Sequence, residues 1–232
     1  MSLVIAEQVR KVYHTGETEV EALKGVSFQI NAGSFVSFVG PSGSGKTTLL
    51  NLIGCLDAPS AGTLTVADTN VASLNRATGA AFRGQEIGFI FQDFNLLPVL
   101  SVFENVEYPL LMVKKTAEAE RRQRVRELLD SVGMADQAHK RPDQISGGQK
   151  QRVAVARALV TNPKLVLADE PTANLDHETA FMVLNLMKQM RDQFGTTFVF
   201  STHDPRIVGE AEVIHHLEDG ILKGSELKGG AA

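Results

Sequence analysis

The 232-residue chain has no tryptophan, two tyrosines and a single cysteine. One cysteine excludes an intramolecular disulfide, so the natural setting is a reducing compartment. Cys55 lies in an apolar stretch and reads as a small buried residue rather than a reactive thiol. No window approaches the roughly 20 apolar residues that span a bilayer. The opening residues, MSLVIAEQVRK, lack the basic start and long apolar centre of a signal peptide. The expectation is a cytosolic chain that reaches a membrane only through a partner. An excess of basic charge is missing too: 23 Lys+Arg against 27 Asp+Glu leave a formal net charge of -4. That balance argues against a nucleic-acid partner, whose surface shows as a basic excess. There are no internal repeats and no low-complexity linker, and only the closing KGGAA, 228–232, reads as disordered.

Hydrophobic residues make up 43% of the chain, enough to bury a sizeable core in one large α/β unit or a core plus subdomain. Residues 26–30 alternate as a strand, 31–33 turn, and the apolar run 35–39 reads as a buried strand leading into a glycine loop. A helix is predicted over 46–56 and a short strand over 62–66. The segment 96–111, with Pro98 and Pro109, reads as apolar and irregular. Residues 116–131 predict a surface helix with a solvated charged face. From 147 onward helices and strands alternate again: helix 149–160, strand 165–168, helix 177–194, strand 197–201. Both of these strands end in polar residues, where open parallel sheets place ligands.

The pattern G-x-x-x-x-G-K-[ST] is met in full by Gly40, Gly45, Lys46 and Thr47, between a predicted strand and a predicted helix. Glycines let successive backbone N–H groups form an anion nest, and the helix N-terminus adds its positive end. Lys46 is suited to the β and γ phosphates of ATP and the Thr47 hydroxyl to Mg²⁺. Asp169 and Glu170 close the apolar run 165–168. Asp169 suits Mg²⁺ through its water shell, and Glu170 suits polarising an attacking water. Taken alone, the pair would equally open a turn before Pro171.

Ser146, Gly147, Gly148 and Gln149 precede a helix and form a second anion cradle. One nucleotide needs only one, so this cradle fits a nucleotide held by another subunit, in a homodimer or heterodimer. As a tetrapeptide it would also serve as an ordinary capped helix start. His203, after an apolar strand, is placed to hydrogen-bond a γ-phosphate or else to cap the next helix. His215 and His216 read as surface or packing residues.

Over nearly its full length the sequence resembles the nucleotide-binding subunits of ABC transporters. Residues 40–47 are similar to Walker A, 166–170 to the end of Walker B, and 145–149 (ISGGQ) to the ABC signature. Ile145 departs from the usual leucine in a volume-conserving way. Gln92 stands where the Q-loop glutamine falls, Asp176 in the D-loop, His203 at the switch histidine, and Tyr13 where an aromatic ring stacks on adenine. The finer resemblance, through residues 20–25, 51–57, 167–176 and 202–204, is to the LolD/MacB-type branch of lipoprotein-release and macrolide-export systems. Cys55 departs there from a common glycine.

The resemblance implies a P-loop α/β core with an antiparallel β subdomain and an inserted helical subdomain. The core would be 1–92 and 158–232, the insertion about 93–157, within a single ATPase domain. It implies ATP contacts from Tyr13, Gly40, Pro41, Ser42, Gly43, Ser44, Gly45, Lys46, Thr47, Thr48 and Gln92, and Mg²⁺ at Thr47, Gln92 and Asp169. Glu170, His203 and Lys46 would carry catalysis. An integral membrane permease subunit is the implied partner, met by the segment 94–100. Peripheral attachment at the cytoplasmic face of the inner membrane and a role in export or lipoprotein release follow. The rival readings are an ABC ATPase regulating a membrane partner in cell division, and a P-loop small-molecule kinase.

Overall fold

The computed structural model describes residues 1–16, 18–113 and 116–228. In chain order the first half contains β1 (Ser2–Thr15), β2 (Thr18–Asn31), β3 (Phe35–Val39), α1 (Lys46–Ile53), β4 (Ala61–Val66), β5 (Thr69–Asn70), α2 (Arg76–Glu86) and β6 (Ile87–Ile90). Three helices follow, α3 (Val102–Val113), α4 (Glu118–Ser131) and α5 (Gly147–Leu159). The chain then alternates through β7 (Leu165–Asp169), α6 (His177–Phe194), β8 (Thr197–Thr202), α7 (Pro205–Val208), β9 (Val213–Glu218) and β10 (Ile221–Leu227).

All five side chains of β3 are buried, which a strand achieves only when both faces of its sheet are covered. β3 lies inside a six-stranded sheet of order β10-β9-β3-β8-β7-β6, parallel except for the edge strand β10. Side chains alternate across it. Phe35, Val166, Phe198 and Phe200 face a core shared with α3, α5 and α6. Val36, Phe38, Leu167 and Val199 face a second core built with α1 and the antiparallel sheet β2-β1-β4-β5. The four phenylalanines Phe35, Phe38, Phe198 and Phe200 are each fully buried, a gain of roughly 1.5–3 kcal/mol apiece relative to exposure.

Several local readings need correction. The segment 96–111 is not irregular throughout: α3 runs across Pro109. Its buried stripe Val102, Val106 and Leu110 outweighs the one backbone hydrogen bond that a proline removes. Ser101 and Glu104 cap its start, with Glu104 N–H donating to Ser101 Oγ and Ser101 N–H to Glu104 Oε2. That S-x-x-E pattern was the legible signal. α1 stops at Ile53 rather than Leu56, because Gly54 closes it and Cys55 takes a left-handed φ of 53°. β1 escapes the period-two pattern because its pairing with β2 shifts register between Ala6 and Val9. Lys228 is ordered by its N–H, which donates to Glu212 O at 2.8 Å; the rest of the predicted disordered tail, 229–232, lies outside the described residues.

Between the neighbouring strands β6 and β7 the chain travels through α3, α4 and α5. α5 packs against α3 and α4 and also against β6 and α6, so this helix joins the excursion to the sheet.

Candidate functional site

The loops that leave the C-terminal ends of β3, β6, β7 and β8 meet over one cavity of about 740 Å³, the place where a parallel sheet offers converging backbone and helix N-termini. Lys46, Thr47, Thr48, Gln92, Glu170 and His203 all line it. The glycine loop after β3 is shaped by close packing. A Cβ on Gly40 would stand 1.9 Å from Leu217 O in β9, so no other residue fits there. Gly43 and Gly45 have φ of 79° and 103°, and Gly45 is the N-cap of α1. The turn between β9 and β10 holds this loop from the side: Gly220 N–H donates to Ser44 O at 3.0 Å, and Lys24 N–H donates to Gly220 O at 2.8 Å.

Lys46 is almost completely buried and donates to Gly40 O at 2.7 Å and Pro41 O at 3.0 Å. Its Nζ is 4.0 Å from Glu170 Oε1. His203 Nδ1 lies 2.9 Å from the same Glu170 oxygen. Thr47 Oγ1 donates to Asp169 Oδ1 at 3.3 Å, so a hydroxyl and a carboxylate face one another across the loop. Those two oxygen donors, with Gln92 nearby, are a set that suits a hard cation completing its shell with phosphate and water.

Ser201 was missed by the sequence reading. It sits beside Asp169 in the β7–β8 register, fully buried. Its hydroxyl donates to Asp169 Oδ1 at 2.6 Å and accepts from Glu170 N–H at 3.0 Å. β8 reads TFVFST, with hydroxyls also at Thr197 and Thr202, so nothing in the sequence singled Ser201 out. Arg157 was missed as well. Its guanidinium donates to Asn95 O and, at 2.7 Å, to Phe94 O, and both of those residues have positive φ, 48° and 61°. Burial lowers the Arg157 pKa to about 10, which leaves it charged at neutral pH.

The remaining predicted residues are placed elsewhere. Ser146 caps α5 by accepting from Gln149 N–H at 3.3 Å, while Ser146 N–H donates to Gln149 Oε1 at 2.9 Å. Gly147 packs on Leu175, and a Cβ on Gly148 would meet Thr179 Cγ2 at 2.4 Å. None of Ser146, Gly147, Gly148 or Gln149 lines the cavity. Asp176 caps α6, accepting from Thr179 N–H at 3.0 Å, a bond that lowers its pKa. Asn174 bridges this loop to the end of β6 by donating to Gln92 O at 3.1 Å and Asp93 Oδ1 at 3.0 Å. Tyr13 does not line the cavity, although its cross-strand partner Val20 does. Tyr13 instead donates to Asp57 Oδ2 at 3.2 Å, beneath the Lys11 ammonium.

A glycine loop between a buried strand and a helix, faced by a carboxylate pair at the end of β7, two strands away in the sheet, defines a phosphate-loop nucleotide-binding protein. Its relatives narrow the class. Residues 23–173 match the ABC transporter family. The chain is 46% identical over 221 residues to an uncharacterized ABC transporter ATP-binding protein of Thermotoga maritima, covering 95% of this chain and 94% of that one. It is 42% identical over 224 residues to the macrolide export ATP-binding/permease protein MacB of Syntrophobacter fumaroxidans, covering 96% of this chain but 31% of MacB. The dimeric post-hydrolysis structure of the ATP-binding cassette MJ0796 bound to ADP and Pi superposes with a TM-score of 0.88. The two are 42% identical, with 98% of this chain and 100% of that one covered. The chain belongs to the ABC transporter family, as an ATP-binding ATPase subunit.

Proposed function

We propose that two copies of this chain close head to tail over two ATP molecules and drive a separate membrane subunit, in export or lipoprotein release. One observation carries the reading. Ser146, Gly147, Gly148 and Gln149 form a helix N-terminus that does not line their own chain's cavity. A second anion cradle is useful there only against phosphates held by another subunit.

In this reading Lys46 balances the charge of the β and γ phosphates, and backbone N–H groups of the loop from Gly43 to Thr48 cradle them, with Pro41 and the buried Ser44 shaping the loop and Ser42 lending a hydroxyl. Thr47, Gln92 and Asp169 would hold Mg²⁺, which would supply positive charge against the phosphates. Glu170 receives the proton of the attacking water on its carboxylate, and His203 steadies Oε1 of that carboxylate through Nδ1. Asp176 faces the partner copy, and Tyr13, already paired with Val20, gives up its bond to Asp57 to stack on adenine.

Support for a membrane partner comes from the edge strand β6. A largely apolar groove of about 370 Å³ is lined by Leu56, Phe89, Phe91, Pro109 and Val113. Val99, Tyr108, Leu111 and Met112 are exposed on the same segment, more apolar surface in one stretch of chain than scattered exposure explains. A short helix of a membrane subunit fits it. Among the described residues no helix is long and apolar enough to cross a membrane, so attachment would be peripheral, at the cytoplasmic face of the inner membrane. Residues 93–157 would move as a helical subdomain against the core 1–92 and 158–232, with Gln92 at the hinge.

The test uses Glu170→Gln. With ATP and Mg²⁺ this variant should bind nucleotide, hydrolyse it slowly and elute at twice the mass of the monomer. Adding Ser146→Arg should abolish the dimer while leaving ATP binding intact. A Glu170→Gln chain that binds ATP at millimolar concentration and stays monomeric sinks the composite-site reading.

A further inference from the structure

We propose that Ser201 is a positioning residue for hydrolysis, one hydroxyl that sets the directions of both acidic residues at the end of β7. The inference rests on the ATPase reading of the site and adds a residue to it.

The hydroxyl is used twice. Glu170 N–H donates to Ser201 Oγ at 3.0 Å, and Ser201 Oγ donates its proton to Asp169 Oδ1 at 2.6 Å. A hydroxyl has one proton and two lone pairs, so accepting from the amide commits the proton to the carboxylate. Ser201 is fully buried, and the parallel pairing sets it directly beside Asp169. No solvent competes for it, which raises the worth of both bonds.

The peptide between Asp169 and Glu170 is the object being held. Glu170 takes a left-handed φ of 48°, a conformation that a residue with a Cβ adopts only when its surroundings impose it. The Ser201 bond to Glu170 N–H is one such constraint, and it turns the Glu170 carboxylate to the side of Lys46 and His203. The second bond leaves Asp169 Oδ1 facing Thr47 Oγ1 at 3.3 Å. An aliphatic residue at 201 would fill the strand position but would leave the Glu170 amide unpartnered and Asp169 held only by the longer contact from Thr47. Ser201 itself lines no part of the cavity, so it acts through its two neighbours.

Ser201→Ala and Ser201→Thr test the assignment. The alanine variant should fold with a melting temperature several degrees below that of the parent, as an unpartnered buried amide costs, and bind ATP with unchanged affinity in the presence of EDTA. Its kcat should fall about tenfold or more, the size expected for losing a hydrogen bond to a charged group. The Mg²⁺ concentration that half-saturates ATP binding, read by calorimetry rather than by turnover, should rise severalfold. Ser201→Thr, which keeps the hydroxyl, should restore both. Should Ser201→Ala fail to fold, Ser201→Cys gives the same readings, since its thiol is a weak donor. A variant lacking the hydroxyl that keeps the parental kcat and Mg²⁺ dependence overturns the proposal. So does one whose affinity for Mg²⁺-free ATP falls with its rate. A parent chain without ATPase activity would instead overturn the reading on which the proposal stands.

Discussion

His203 Nδ1 lies 2.9 Å from Glu170 Oε1, the same oxygen that stands 4.0 Å from Lys46 Nζ. One carboxylate oxygen is thus held between a histidine from the end of β8 and a lysine from the start of α1. Removing His203 frees Glu170 to swing toward Lys46. His203→Ala should lower kcat by about tenfold to hundredfold with KM for ATP little changed, because orientation of the base is lost and phosphate binding is not. Steady-state kinetics decide it. A rise in KM without loss of kcat would show that the histidine serves binding alone.

Gly40 and Gly43 belong to one loop but should respond differently to alanine. At Gly40 the new Cβ would meet Leu217 O at 1.9 Å, two backbones with nowhere to move. At Gly43 nothing lies within 4 Å and only the φ of 79° is unfavourable. Overpacking costs about 1–3 kcal/mol, left-handed strain about 1–2 kcal/mol. Gly40→Ala should therefore lower the urea midpoint more than Gly43→Ala, and should also impair ATP binding. The reverse order in urea melts would refute the assigned tight packing of the loop on β9.

Arg157 clamps the carbonyls of Phe94 and Asn95, and with them the turn that follows Gln92. Lysine keeps the charge but cannot fork across two acceptors. Arg157→Lys should cost about 2 kcal/mol in stability. It should also speed hydrogen exchange in residues 92–97 while ATP affinity stays within about twofold. Unchanged exchange in that turn would dismiss the clamp.

His215 is buried between Phe28 and Phe38, with Nδ1 2.7 Å from Ser225 Oγ and Nε2 without a partner among the described residues. Burial, with a smaller push from His216, lowers its pKa from 6.5 to about 4. The sign follows from proton counting: between those values the unfolded chain binds the proton and the folded chain does not. Stability is therefore full above pH 6.5 and falls as the pH drops toward 4, by roughly 3 kcal/mol over the window. His215→Phe should flatten this slope in urea melts taken from pH 4 to 7. The slope persisting in the variant would assign it to another group.

Much of the site was legible because its chemistry demands fixed residue types at fixed spacings. A loop fit to bend backbone amides around a phosphate needs its glycines, and a strand end suited to Mg²⁺ would need its aspartate. The parallel core was legible for a similar reason: runs such as 35–39 and 165–168 are apolar on both faces. What stayed hidden depends on partners distant in sequence. Ser201 reads as an ordinary strand residue until β7 is laid beside β8, and Arg157 reads as a helix-surface charge until the turn at 94–95 is placed under it. β9 was missed because His215 and His216 break its apolar run, although His215 turns inward. α2, with two glycines in 11 residues, has little intrinsic helicity and depends on the Asn75–Thr78 capping box.

The bond from Gly220 N–H to Ser44 O, with Gly40 fitted against Leu217, bears on how the chain is made. β3, encoded early, has β8 and β9 as its neighbours, both encoded late. A chain halted on the ribosome before residue 213 holds the whole glycine loop but lacks the strand beside Gly40 and the turn that fastens Ser44. Competence to bind nucleotide should thus arrive only after the β9–β10 hairpin has emerged, and not when the loop itself appears.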